Sequence, residues 1–248
     1  MNADNAIREW VYSLIDWSNA TSVLDLGCGS GADLREIARL RPSDASLIGI
    51  DSSEKAIEAA QAQSQGDERL TFLEADATNG LSFADDSLDV AFSKNALECI
   101  VDKNAFLREV QRVLRPGGKV LCAHYDWDSQ LIDGEDKELV RKVVHTFADW
   151  KQAWMTDSDG WMGRRLWRTF QRSGLFQGRI SAKTLVETEF VPGAYGWERI
   201  NDFRGLVRRG TVPAEEFERF YANVEQLANR GEYFYSVTMF GYAGQAIS

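Results

Sequence analysis

The chain has 248 residues, 44% hydrophobic and 27% charged, with 4 prolines, so it can bury its own core without disulfides or metal and leaves little room for long disordered stretches. Its formal net charge of −10 argues against a nucleic-acid substrate, whose phosphates demand lysine and arginine. Three cysteines (Cys28, Cys99 and Cys122) without a C-x-x-C pair, a charged start over residues 1–10 and no apolar run of about 18 residues fit a cytoplasmic protein with no membrane partner.

In chain order, residues 22–26 read as a buried strand and 32–40 as a helix that Pro42 stops. Strands follow at 46–50, 70–73 and 88–92, with an alanine-rich helix at 53–64. Phe106, Val110, Val113 and Leu114 recur at helical spacing over 104–114, and Pro116-Gly117-Gly118 closes that helix before a fifth strand at 119–123. Strands alternating with helices predict an α/β fold with a parallel sheet. Beyond it the pattern changes. Helices are expected at 136–154, 161–171, 197–209 and 214–229, an extended run at 179–190 and a last aromatic strand at 233–242. We expect one domain over 1–248: a cofactor-binding core at 1–125, a helical, aromatic acceptor and cap region at 126–232, and the final strand at 233–248.

The densest chemical signal is Asp25-Leu26-Gly27-Cys28-Gly29-Ser30-Gly31, between a strand and a helix. Glycines there allow a sharp turn and close approach of a ligand to backbone, and the helix start offers free N–H donors. Gly27-x-Gly29-x-x-Ala32 also passes for a dinucleotide fingerprint. Asp51 ends the second strand, where a carboxylate can accept from both ribose hydroxyls of an adenosine or cap the next helix, as Ser52 could also do. Asp76 follows the third strand, placed either to accept an adenine amine or to hold a turn.

With these residues in view, the chain resembles the class I S-adenosylmethionine-dependent methyltransferases, in particular the small-molecule group that includes ubiquinone-type enzymes. The segments VLDLGCGSGADL, IGIDSSEKAIEAA, TFLEADAT, DSLDVAFSKNALECIVD and AFLREVQRVLRPGGKVL run in that family's order across residues 23–121. The resemblance implies a Rossmann-like, seven-stranded, mostly parallel sheet flanked by helices, its last strand antiparallel and inserted near the edge. It further implies that Asp25, Gly27, Cys28, Gly29 and Gly31 surround the methionine part of S-adenosylmethionine and that Asp51 and Ser52 meet the ribose and adenine. Asp76 and Ala77 would meet the adenine edge, with Ser93 and Lys94 under the sulfonium and Lys94 acting mainly through its backbone. Many relatives carry a histidine where this chain has Cys99, which is here either a pocket wall or an ordinary buried cysteine.

Two histidines remain. His124, after the fifth strand, is the candidate base, with Asp126 as orienter or alternative, against a purely structural role; His145, mid-helix, reads as packing. Of the aromatic residues Trp127, Trp150, Trp154, Trp161, Trp167, Tyr195 and Trp197, a few should wall an acceptor pocket, with Trp127 and Trp197 our candidates beside Cys99. Asp126, Asp128 and Asp133 read as loop acids, and no metal is expected. Arg164, Arg165 and Arg168, like Arg204, Arg208 and Arg209, read as solvated faces or ion-pair partners. The expected chemistry is methyl transfer to nitrogen or oxygen of a small planar acceptor in specialised metabolism, leaving S-adenosylhomocysteine, by a monomer or homodimer. The alternatives are a nicotinamide-dependent oxidoreductase, from the glycine pattern, and a non-catalytic cofactor-binding partner protein.

Overall fold

The computed structural model describes residues 3–40, 44–153 and 155–247. Pro42, expected to stop a helix, and Trp154, among the candidates for a pocket wall, lie outside them. Seven strands form one sheet: β1 (Ser22–Leu26), β2 (Ser46–Asp51), β3 (Leu70–Glu74), β4 (Leu88–Lys94), β5 (Leu114–Ile132), β6 (Phe176–Glu187) and β7 (Tyr235–Ala246). Their order is β3-β2-β1-β4-β5-β7-β6. The first five are parallel, and β7 runs antiparallel between β5 and β6. The apolar runs of β1 and β4 are buried on both faces, as a sheet covered on two sides requires.

Two apolar cores flank the sheet. One packs α1 (Ala3–Tyr12), α2 (Ala32–Arg39), α3 (Glu54–Gln63), α5 (Lys137–Ala148) and the cap helices α7 (Tyr195–Asp202), α8 (Arg204–Arg208) and α9 (Ala214–Asn229). The other packs α4 (Lys103–Val113) and α6 (Met162–Ser173). Caps written in the sequence set several helix starts. Ser53, Asp102 and Asp136 accept from the N–H groups of Ala56, Ala105 and Leu139, each worth about 1 kcal/mol. The start of α7 is held differently: both oxygens of Glu187, at the end of β6, accept from Tyr195 and Gly196 N–H at 3.1 and 2.6 Å.

Four expectations need correction. Helix α1 was not foreseen, and α5 stops at Ala148. The segment 197–209 is two helices broken at Phe203. Strand β5 continues nine residues past Ala123, because β7 pairs with it as far as Ile132. His124, Asp126 and Asp128 are therefore strand residues, and of the three acids read as loop residues only Asp133 lies beyond β5.

That long pairing is interrupted once. Asp126 faces Thr238 and Leu131 faces Ser236, so residues 127–130 bulge out of the ladder. The bulge is pinned by Ser129 Oγ, which donates to Asp126 O at 2.6 Å and accepts from Thr238 N–H at 3.0 Å. Bulges redirect side chains, and within this one Trp127 Nε1 donates to Glu98, in the turn that follows β4.

Candidate active site

The turn after β1 is tied to the end of β2. Gly27 and Cys28 N–H both donate to Ile50 O, at 2.9 and 3.0 Å. Gly27, Gly29 and Gly31 have φ of 78°, 52° and 75°, a region that favours glycine. At Gly27 space adds a second demand: a Cβ there would stand 2.6 Å from the Ala96 Cβ. Asp51 closes the turn, its Oδ2 accepting from Gly29 N–H and its Oδ1 from Ser53 N–H, both at 2.9 Å. The cap of α3 is Ser53, not Asp51 or Ser52.

A cavity of about 180 Å³ opens beside this turn, at the carboxyl ends of β1, β2 and β4. Of the expected cofactor residues, Gly27, Asp51, Ser52, Asp76 and Ala77 line it, and Cys99 joins them from the acceptor set. Burial, reinforced by Glu98, pushes the Cys99 thiol up to about 12, so it is a neutral wall rather than a thiolate. Asp76 accepts from Thr78 N–H, Thr78 Oγ1 and Asn79 Nδ2 at 2.7–3.0 Å, so its carboxylate also holds its own turn.

Asp25, Cys28, Gly29, Gly31, Ser93 and Lys94 stand outside that lining. Ser93 is fully buried and donates to Leu26 O at 2.9 Å, locking β4 to β1. The Lys94 ammonium pairs with Asp33 at 2.8 Å, and Arg8 and Tyr12 of α1 donate to the same oxygen at 3.1 and 2.5 Å. Burial alone would raise Asp33; Lys94 and Arg8 outweigh it and hold the carboxyl below its usual range. Asp25 is 2% exposed and its Oδ2 has no hydrogen-bond partner. Burial first, then Asp33 and Asp51, pushes its carboxyl well above the usual range against the pull of Lys94. A buried acid with a spare lone pair fits the ammonium of a methionine moiety.

Asn95 was missed. It lines the cavity with φ of 57°, donates its N–H to Ala123 O at 2.9 Å and accepts from Tyr125 N–H at 3.0 Å. It thereby fixes the middle of β5 against the cavity rim. The signal was an asparagine directly after a strand, since asparagine tolerates the left-handed region.

His124 is 1% exposed. Its Nδ1 lies 2.7 Å from Tyr125 O, which accepts only, so Nδ1 carries the proton and Nε2 presents a lone pair. Nε2 has no hydrogen-bond partner, and Glu98 Oε1 lies 3.9 Å away. Glu98 Oε2 accepts from Trp127 Nε1 at 2.9 Å. Burial raises the Glu98 carboxyl, opposed by His124 and Trp127. The acid beside the imidazole is thus Glu98, and the expected role of Asp126 is corrected. Asp126 is wholly buried and accepts from Arg164 Nε and Nη2 at 2.5 Å and Arg164 N–H at 3.1 Å, which leaves it as the anchor of α6.

Trp127 lies 5.3 Å from Tyr125, 5.9 Å from Phe147 and 6.5 Å from His124, ring centre to ring centre. Trp197 is half-exposed on α7. Trp161 and Trp167 are each 42% exposed, and Trp150 packs under Gly205 of α8. His145 is exposed, 3.6 Å from Asp128, and does not pack as expected. Among the described residues, no group of three or more histidine, cysteine, aspartate or glutamate side chains could hold a metal ion, and no helix is long and apolar enough to cross a membrane.

The chain is similar to known proteins in sequence and fold. The methyltransferase-domain family matches residues 18–179. An uncharacterised 37.1 kDa protein in transposon TN4556 of Streptomyces fradiae is 30% identical over 249 residues, covering 99% of this chain and 68% of that protein. A ubiquinone/menaquinone biosynthesis C-methyltransferase of Geobacter sulfurreducens is 30% identical over 125 residues, 49% of this chain. That alignment covers 48%, about half, of the enzyme's length. Phosphoethanolamine N-methyltransferase 2 of Haemonchus contortus, in complex with S-adenosyl-L-methionine, superposes with a TM-score of 0.58. The match covers 98% of this chain and 53% of that one at 16% identity, a likeness of fold.

Proposed function

The chain belongs to the methyltransferase-domain family and is an S-adenosylmethionine-dependent methyltransferase, and from that premise we propose that it methylates a nitrogen or oxygen of a small planar acceptor in specialised metabolism. The observation that supports transfer to an acceptor that gives up a proton is the His124 Nε2 lone pair, buried without a partner midway along β5. A base contributes only where the acceptor must lose a proton, as N–H, O–H and activated ring C–H groups do, and is then worth about 10²–10⁴-fold. Trp127, beside that imidazole, supplies a flat wall for a ring. The family assignment sets aside the nicotinamide-dependent oxidoreductase suggested by the glycine pattern.

In this reading the Gly27–Gly31 turn, Asp51, Ser52, Asp76 and Ala77 hold the cofactor, with Asp25 offering its free oxygen to the methionine ammonium. S-adenosylmethionine supplies a methyl group already activated by its sulfonium. The protein's part is to place the acceptor in line with that methyl, which can contribute about 7–11 kcal/mol. His124 Nε2 takes the acceptor's proton, and Glu98, 3.9 Å away, stabilises the resulting imidazolium.

Calorimetric titration with S-adenosylmethionine and S-adenosylhomocysteine, on wild type and Asp51→Ala, tests the cofactor contacts. Micromolar binding should fall about a hundredfold in the variant. Labelled-methyl transfer to a panel of phenols, aryl amines and carbon nucleophiles, with the product bond read by NMR, tests the target atom. Label found on carbon alone would sink the nitrogen or oxygen assignment.

A further inference from the structure

Away from the cofactor cavity, buried hydrogen-bonding groups without partners collect at the seam between core and cap. The Tyr125 hydroxyl, the Tyr233 hydroxyl and Arg199 Nε are buried and make no hydrogen bond. Tyr125 and Tyr233 are each 2% exposed. Tyr125 stands midway along β5, its ring 5.2 Å from that of Tyr195 on α7, and Tyr195 lies 6.2 Å from Tyr235 on β7. The Arg199 guanidinium lies 5.4 Å from the Tyr195 ring centre, and its Nη2 is bound to Asp202 at 2.7 Å.

The chemistry of these groups defines their missing partner. A guanidinium only donates, so Arg199 Nε needs an acceptor. Burial pushes the Tyr125 phenol well above its ordinary range, so its hydroxyl keeps a proton to give. A buried donor left without an acceptor is destabilising. Asp4 and Arg8 of α1, whose charges also face Tyr125, are paired with each other at 2.9 Å. Within the chain the Tyr195 hydroxyl is what approaches that of Tyr125, and Arg199 Nε has no acceptor, so a ligand oxygen set between Arg199 and Tyr125 would supply the partner this donor lacks.

We propose that Arg199 and Tyr125 anchor an anionic oxygen, carboxylate or phenolate, of the methyl acceptor, which makes that acceptor an aromatic acid or acidic phenol. The inference rests on the methyltransferase reading and adds a substrate class to it. Trp127 links the two ends of the site, 5.3 Å from the Tyr125 ring on the anchoring side and 6.5 Å from the His124 ring on the base side. A single planar acceptor lying on Trp127 reaches both. A charge-assisted pair at one end and a base at the other would fix which ring substituent faces the methyl group.

The test compares benzoate, salicylate and 4-hydroxybenzoate with their amides, by calorimetry at saturating S-adenosylhomocysteine. Wild type should bind the acids about tenfold more tightly than the amides. Arg199→Gln should abolish that preference, and Tyr125→Phe should cut it to about threefold. Tyr125→Phe removes only a hydroxyl whose neighbour in the chain is Tyr195 and leaves the Arg199–Asp202 pair in place, so it reports on binding even where Arg199→Gln disturbs α7. Amides that bind as well as acids, acids that do not bind, or a preference untouched in both variants would overturn the proposal. S-adenosylhomocysteine affinity is read in the same samples. Its persistence confines such a failure to the acceptor subsite, whereas its absence in wild type would bring down the methyltransferase reading and this inference together.

Discussion

The two halves of the site are built from different materials. Around β1, β2 and β4 the contacts run through backbone: Gly27, Cys28 and Gly29 N–H groups are satisfied by Ile50 O and Asp51. Around β5 and β7 they run through side chains brought together by the bulge at 127–130 and by the cap. A backbone site tolerates change only where φ and space allow it. A side-chain site depends on identity at each position, so it can be retuned to a new acceptor while the cofactor half stays fixed. The substitutions below separate the two halves.

His124→Gln should have the largest effect. For an acceptor that must lose a proton, kcat should fall about 10²–10⁴-fold, with S-adenosylhomocysteine affinity unchanged by calorimetry. Unchanged kcat would return His124 to a structural role. Next, Arg164→Met strands the fully buried Asp126 carboxylate. Urea unfolding should show a loss of about 3 kcal/mol, the low end for a broken buried pair because Arg164 is itself 39% exposed. Intact stability with lost turnover would instead restore Asp126 to the chemistry.

Gly27→Ala strikes the cofactor half through both φ and the 2.6 Å approach to Ala96. A stability loss of about 1–3 kcal/mol is expected, together with weakened cofactor binding. Adding Ala96→Gly should relieve the clash and leave the φ strain. Full recovery in that pair would show that strain at Gly27 is negligible.

The smallest effect concerns pH. Burial, helped by Asp33 and Asp51, raises the Asp25 carboxyl well above its unfolded value. The native state then keeps a proton that the unfolded chain releases, so stability falls as pH rises above about 4, where an ordinary aspartate ionises. Asp25→Asn should flatten that decline, raising Tm by about 2–4 °C at pH 7 for each kcal/mol involved and leaving it unchanged below pH 4. A difference between the two proteins that does not vary with pH would remove the linkage.

Much of the cofactor half was legible because its elements are local. A strand, a glycine turn and a helix occupy residues 22–39, and Asp51 follows at the next strand end. Alternation and glycine spacing therefore placed β1 to β4 to within two residues. Ser52 and Ser53 show the limit, since which serine caps α3 depends on backbone angles that spacing does not fix. In the acceptor half, His124 was readable as a candidate and Glu98 was not. Glu98 sits in a 3-10 turn beside Cys99, and only its approach to Trp127 and His124 sets it apart from a surface acid.

By itself, then, the sequence determined the alternating α/β core, the glycine turn with its acid at the next strand end, and an aromatic last strand, whose antiparallel direction was implied by the family resemblance alone. Short-range periodicity and backbone conformation suffice to specify those. Tertiary structure alone decided that β5 runs on to Ile132, that Asp126 belongs to Arg164, that Glu98 faces His124, and that Arg199 and Tyr125 keep unmade hydrogen bonds. Those outcomes depend on the register of β5 against β7 and on the packing of a cap between β6 and β7. A partner 38 residues away along the chain, as Arg164 is from Asp126, is fixed by that register and not by any local pattern.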